Sequence, residues 1–146
     1  MEKSKRKIIY YTWEEFKNDV EVLAEMIKEN YKVKTIYGIE RGGLIPAVML
    51  SDRLSIPLVK RKQVNSNTLV IDDIIETGYT IAKLAKELKD KKPVIVTLWT
   101  IDSFQNISDL FRNIKKENEW IVFPWEDKLQ AEQNFKEFYA KRTKNS

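Results

Sequence analysis

Asp72 and Asp73 are adjacent carboxylates at the end of an apolar run, and a few residues later Thr77 and Thr80 bracket Gly78. The whole stretch, Thr68 to Thr80, reads TLVIDDIIETGYT. Leu69-Val70-Ile71 predicts a short strand buried on both faces, which puts the two acids where that strand ends. After Ile74-Ile75, the polar turn Glu76-Thr77-Gly78-Tyr79-Thr80 leads into a helix. Its residues Ile81, Leu84, Ala85 and Leu88 make one apolar face. Free N–H groups at a helix start face an anion, and a glycine there lets the backbone approach it closely. The hydroxyls of Thr77 and Thr80 add donors, and paired carboxylates accept hydrogen bonds from the vicinal hydroxyls of a ribose. These residues together can hold a sugar phosphate. A buried strand with two solvated aspartates and a Thr-capped helix would use the same residue types without a ligand. A P-loop is excluded, because no lysine follows the glycine and the GxxxxGK[ST] spacing is missing.

A second candidate loop lies upstream, at Glu40-Arg41-Gly42-Gly43. It follows a predicted strand over 33–39 and precedes a mostly apolar helix from Leu44, with Pro46 tolerated in the first turn. Two glycines free the backbone to wrap an anion, and Arg41 offers a planar fork of donors for phosphate oxygens. Taken alone, Arg-Gly-Gly also makes a simple turn.

An apolar strand, two acids, apolar residues and then Thr-Gly-x-Thr, over thirteen consecutive positions, resembles the phosphoribosyl-pyrophosphate (PRPP) motif of type I phosphoribosyltransferases. The Arg-Gly-Gly-Leu loop is similar to the pyrophosphate loop of the xanthine–guanine (6-oxopurine) members. The resemblance implies transfer of the phosphoribosyl group of PRPP to a purine-type base, giving a nucleoside monophosphate and pyrophosphate in nucleotide salvage. It assigns the PRPP and nucleotide cradle to Asp72, Asp73, Ile75, Glu76, Thr77, Gly78, Tyr79 and Thr80. Pyrophosphate falls to Glu40, Arg41, Gly42, Gly43 and Lys60, with a non-proline cis peptide at Glu40–Arg41, a conformation kept only where function needs it. Mg²⁺ is expected on substrate oxygens, with Asp72 and Asp73 acting mostly indirectly and Glu126 as a further carboxylate. The catalytic assignments are Asp73, on the ribose, and Glu76, near purine N7 as general acid/base. Glu76 is one methylene longer than the family's usual aspartate, and a helix N-terminus favours a glutamate for its charge alone. Trp120 would stack on the base and Ile121 offer backbone groups to its edge, next to a Pro124-Trp125-Glu126 element that the family shares. A core aromatic is an equal reading for Trp120 and the favoured one for Trp125.

Two departures bear on this. The family's lysine for a 6-oxo group follows the strand that here ends in Trp99-Thr100-Ile101, with no lysine among them. A long mobile loop usually precedes the PRPP motif. Here only Arg61 to Asn67 are available, enough for a tight turn with Asn65-Ser66-Asn67 at its tip. A missing cover leaves water near a reactive sugar cation, so a catalytically weak or inactive PRPP- or nucleotide-binding regulator is the alternative reading.

The elements that must position these residues follow from periodicity. Thr12 caps a first helix, with Glu15 at the capping-box position and Trp13, Phe16, Val20, Leu23, Ala24 and Ile27 as its apolar stripe. Short strands are predicted over 56–60 and 93–99, and a helix over 108–116 with Leu110, Phe111 and Ile114 inward. An extended aromatic segment follows over 119–125. A last helix over 127–141 uses Leu129, Ala131, Phe135, Phe138 and Tyr139. Alternating strands and helices with short links predict an α/β fold, a single-domain parallel-sheet, three-layer sandwich over 1–146, with a small C-terminal base-binding element. With no cysteine there is no thiolate chemistry, and with no histidine any general base is a carboxylate, lysine or tyrosine. No apolar run reaches membrane-span length, so a cytoplasmic protein without membrane partners is expected. Of the net charge of +4, residues 1–7 and 141–146 each carry +3, leaving −2 for the body. Basic tails are ordinary solvated ends, so nucleic acid is disfavoured as a partner. The family resemblance implies a homodimer.

Overall fold

The computed structural model describes residues 5–77, 79–88 and 91–144. The chain divides into two compact units, one of residues 17–114 and one of residues 1–16 with 115–146. In chain order the elements are β1 (Lys7–Tyr10), α1 (Trp13–Asn30), β2 (Thr35–Gly38), α2 (Leu44–Leu54), β3 (Thr68–Ile75), α3 (Tyr79–Glu87), β4 (Val94–Ile101), β5 (Leu110–Lys115), β6 (Glu119–Val122) and α4 (Lys128–Lys144).

A four-stranded sheet of order β2-β3-β4-β5 organises the larger unit, with β3 parallel to both β2 and β4. Leu69, Val70 and Ile71 are fully buried, as a strand covered on both faces requires. The strand does not stop at the acids, however. Pairing with β4 continues through Asp72↔Thr97, Ile74↔Trp99 and Ile75↔Thr100, so the carboxylates sit on rigid sheet. The helix α3 buries Ile81 and Leu84, and Leu88 just after it, against Tyr37, Val64 and Val70. In α1 the capping box forms: Glu15 N donates to Thr12 Oγ1 (3.1 Å) and Thr12 Oγ1 donates to Glu15 Oε1 (3.0 Å). Phe16, Val20, Leu23, Ala24 and Ile27 are buried, but Trp13, expected in the same stripe, is 55% exposed.

Two expected elements take another form. Residues 56–60 make only one bridge, Leu58↔Ile36, before Arg61–Gln63 winds into a 3₁₀ turn. Pro57 has no N–H to extend the ladder and contributes its carbonyl to Ile36 N (3.0 Å). The helix expected over 108–116 is instead strand β5, whose side chains find partners that local periodicity does not reveal. Arg112 Nε and Asn113 Nδ2 both donate to the buried Asp19 of α1, at 3.0 and 2.8 Å, and Asn113 Nδ2 also donates to Leu98 O. Ile114, expected inward, is exposed.

In the smaller unit β1 pairs in parallel with β6, with Ile8 opposite Trp120. Ala131 and Tyr139 of α4 are buried, whereas Leu129, expected on the same face, is exposed. Among the described residues no helix is long and apolar enough to cross a membrane.

Candidate active site

The carboxyl ends of β2 and β3 carry the two candidate loops. Gly38 pairs with Ile71, so the residues following each lie side by side at the same edge of the sheet. Ile39 N donates to Ile71 O (2.9 Å) and Gly43 N to Ile39 O (2.8 Å), which ties the Glu40–Gly43 loop to β3 one residue before Asp72. A Cβ built on Gly42 would lie on top of the Asp73 carboxylate. A side chain at position 42 would displace that carboxylate, so the glycine lets the loop and the acid pair adjoin at one edge of the sheet. The peptide Glu40–Arg41 is cis. Arg41 and Glu40 are exposed at the loop's tip, and Arg41 O accepts from Leu44 N (3.1 Å) at the start of α2.

Asp72 is buried and Asp73 half-buried. Asp72 Oδ1 accepts from Asp73 N and Asp73 Oδ1 from Ile74 N, both at 2.8 Å. Each carboxyl thus has one oxygen aimed by backbone, while the Gly42 approach places the Asp73 carboxylate against the neighbouring loop. Burial, reinforced by the adjacent Asp73 carboxyl, pushes Asp72 up to about 8. Burial also raises Asp73, with the charge of Glu76 adding to it against opposing hydrogen bonds.

Beyond the acids an open pocket of about 170 Å³ is lined by Asp72, Ile74, Ile75, Glu76, Thr77, Thr80 and Ile81. Thr77 Oγ1 accepts from Tyr79 N (3.2 Å), capping α3, and Glu76, Thr80 and Tyr79 are exposed. Gly78 lies outside the described residues. Lys60 is exposed at the end of the segment bridged to β2.

The smaller unit holds the residues assigned to the base. Trp120 of β6 is half-buried, and its ring meets Phe138, Phe135 and Tyr139 of α4 with centroids 5.2, 6.1 and 6.4 Å away. Ile121 is buried beside it. Trp125 stacks on Phe123, with centroids 4.9 Å apart. Glu126 Oε1 accepts from Phe123 N (3.1 Å) while Glu126 N donates to Phe123 O (3.0 Å), closing the turn after β6. That carboxylate already serves local structure. Among the described residues no group of three or more acidic side chains could hold a metal ion. A buried pair of hard oxygen donors fits a Mg²⁺ that stays mainly on substrate oxygens and water, rather than in a protein cage.

An acid pair at the carboxyl edge of a parallel sheet, with a glycine loop packed against it, is the arrangement the phosphoribosyltransferase resemblance implies. No family model matches the chain. It is 31% identical to the crystal structure of the purine phosphoribosyltransferase of Pyrococcus horikoshii Ot3, with a TM-score of 0.71, covering 82% of this chain and 94% of that one. It is 29% identical to the xanthine-guanine phosphoribosyltransferase of Nitratidesulfovibrio vulgaris (strain DP4), over 86% of this chain and 88% of the relative. The fold is shared with the xanthine-guanine-hypoxanthine phosphoribosyltransferase of Helicobacter pylori, at 20% identity and a TM-score of 0.66, over 87% of this chain and 99% of that one. The chain belongs to the purine phosphoribosyltransferase family.

Sequence reasoning did not find the Asp19–Arg112–Asn113 clasp that fixes β5 beside β4. Asp19 lies more than ninety residues from the other two in the chain, and no local pattern joins them.

Proposed function

We propose that the protein transfers the phosphoribosyl group of PRPP to a purine base, releasing pyrophosphate and a nucleoside monophosphate. The observation that carries this is the packing of Gly42 on Asp73, which makes the polyphosphate loop and the ribose-binding acids one surface. Displacement at the anomeric carbon passes through an oxocarbenium-like state, as in glycoside hydrolysis. It needs in-line placement of the reactants and stabilisation of the leaving charge more than covalent help. Asp72 and Asp73 hold the ribose hydroxyls. The N–H groups at the start of α3, with Thr77 and Thr80, take the 5-phosphate. Arg41, Lys60 and the Glu40–Gly43 backbone take the pyrophosphate. Glu76, at the pocket rim, exchanges a proton with the purine. Asp72 and Asp73 would hold a Mg²⁺ mostly indirectly, and when bound it would supply countercharge for the leaving pyrophosphate. Trp120 and Ile121 are assigned to the base by the family pattern. The reading extends to a cytoplasmic homodimer acting in purine salvage.

Incubation with Mg²⁺, PRPP and a panel of bases, following pyrophosphate release, tests the reading. Release that depends on a purine supports it. Saturable PRPP binding without turnover would make the protein a binding regulator, and no PRPP binding would end both readings. Asp73→Asn is expected to weaken PRPP use by about tenfold or more, the equivalent of one lost charge-assisted contact.

A further inference from the structure

The link between Leu58 and Thr68 is short, cationic and pinned at both ends. Val59 N donates to Ile36 O (2.8 Å), and Val59 and Val64 pack on the core cluster that contains Tyr37. Between them Lys60 N donates to Gln63 Oε1 (2.9 Å), holding Lys60-Arg61-Lys62-Gln63 as a compact arch. The parallel bridge Leu58↔Ile36 sets its height: two residues on, Lys60 falls level with Gly38, hence with Ile71 and the edge from which the acid pair projects. Burial raises the Tyr37 hydroxyl above its ordinary value; the charges of Glu40, Glu87 and Asp72 add to this and that of Arg61 opposes it, so arch, loop and acid pair all lie within electrostatic reach of it.

On this arch Arg61 Nη2 pairs with Glu87 Oε2 at the end of α3 (2.5 Å), both side chains nearly half exposed. An exposed pair of this kind adds little to stability and is readily exchanged for a better anion. Pyrophosphate is such an anion, since it carries several charges and accepts the guanidinium fork through two oxygens at once. Lys60 and Lys62 on either side keep the field positive wherever Arg61 turns.

We propose that Arg61 is a further substrate-binding residue, parked on Glu87 in the free protein and transferred to the pyrophosphate group of PRPP when it binds. The fixed arch thereby supplies contacts that a long mobile loop would otherwise bring. This rests on PRPP being the substrate, and the test separates the two. Binding of PRPP, of inorganic pyrophosphate and of GMP, each with Mg²⁺, is measured for the intact protein, Arg61→Ala, Arg61→Lys and Glu87→Gln, with thermal midpoints as a folding control. Arg61→Ala is expected to weaken PRPP and pyrophosphate by about tenfold, one good charged contact, and GMP by less than about twofold. Arg61→Lys should recover part of the loss, because a point charge replaces the fork. Glu87→Gln should strengthen PRPP and pyrophosphate by about twofold to fivefold, having removed the competitor. Equal loss for GMP and PRPP, unchanged pyrophosphate affinity in Arg61→Ala, or no gain in Glu87→Gln overturns the role of Arg61. An intact protein that binds none of the three overturns the substrate reading itself.

Discussion

At the scale of single residues, the acid pair and Gly42 make the sharpest predictions. Asp72 is raised to about 8 chiefly by burial. Between the ordinary aspartate range and that value the folded protein keeps a proton that the unfolded chain has released. Stability is therefore full at acid pH, falls as pH rises through this window, and levels off above it. Asp72→Asn keeps the shape and removes the titration. Its stability relative to the parent should grow between about pH 5 and about pH 9, by on the order of 4 kcal/mol, in metal-free urea denaturation series. A constant difference across that range would show that the carboxyl titrates normally. Gly42→Ala forces a methyl group onto the Asp73 carboxylate. PRPP affinity should drop about tenfold or more with the fold retained, read by calorimetry beside a thermal melt.

At the scale of elements, much of the chain could be read from its letters. The Thr12–Glu15 box starts α1, and the buried faces of α1 and α3 follow the helical period through Phe16, Val20, Leu23, Ile81 and Leu84. The Asn65 turn closes as expected, with Asn67 N donating to Asn65 Oδ1 (2.8 Å). Strand β5 was not legible, because Leu110, Phe111 and Ile114 fit a helical spacing as well as a strand. What settles it is Asp19, buried on α1, whose two oxygens take Arg112 and Asn113. Asp19→Ala leaves Arg112 without that carboxylate. It should cost about 3 kcal/mol, the usual penalty for breaking a buried pair from one side. The denaturant midpoint checks it, and a loss below about 1 kcal/mol would mean the clasp behaves as a surface pair.

At the scale of the whole molecule, the residues assigned to PRPP all belong to 17–114, and those assigned to the base belong to the unit of 1–16 and 115–146. Trp120→Ala should raise the KM for base by about tenfold, a stack being worth about 1–3 kcal/mol, and leave the KM for PRPP within about twofold. Because its ring also meets Phe135, Phe138 and Tyr139, Trp120→Phe is the control that keeps an aromatic partner for α4. If both variants lose stability and neither changes the KM for base, Trp120 is an anchor for α4 and the base is held elsewhere. By itself the sequence determined the family, the acid pair, the glycine loop and, to within a residue, where most helices start, because these depend on residue types within a few positions of each other. The tertiary structure alone decided that the acids ride inside β3, that Gly42 closes on Asp73, and that residues 110–115 are strand. Each of these depends on a neighbour brought from far along the chain, and local spacing carries no record of who that neighbour will be.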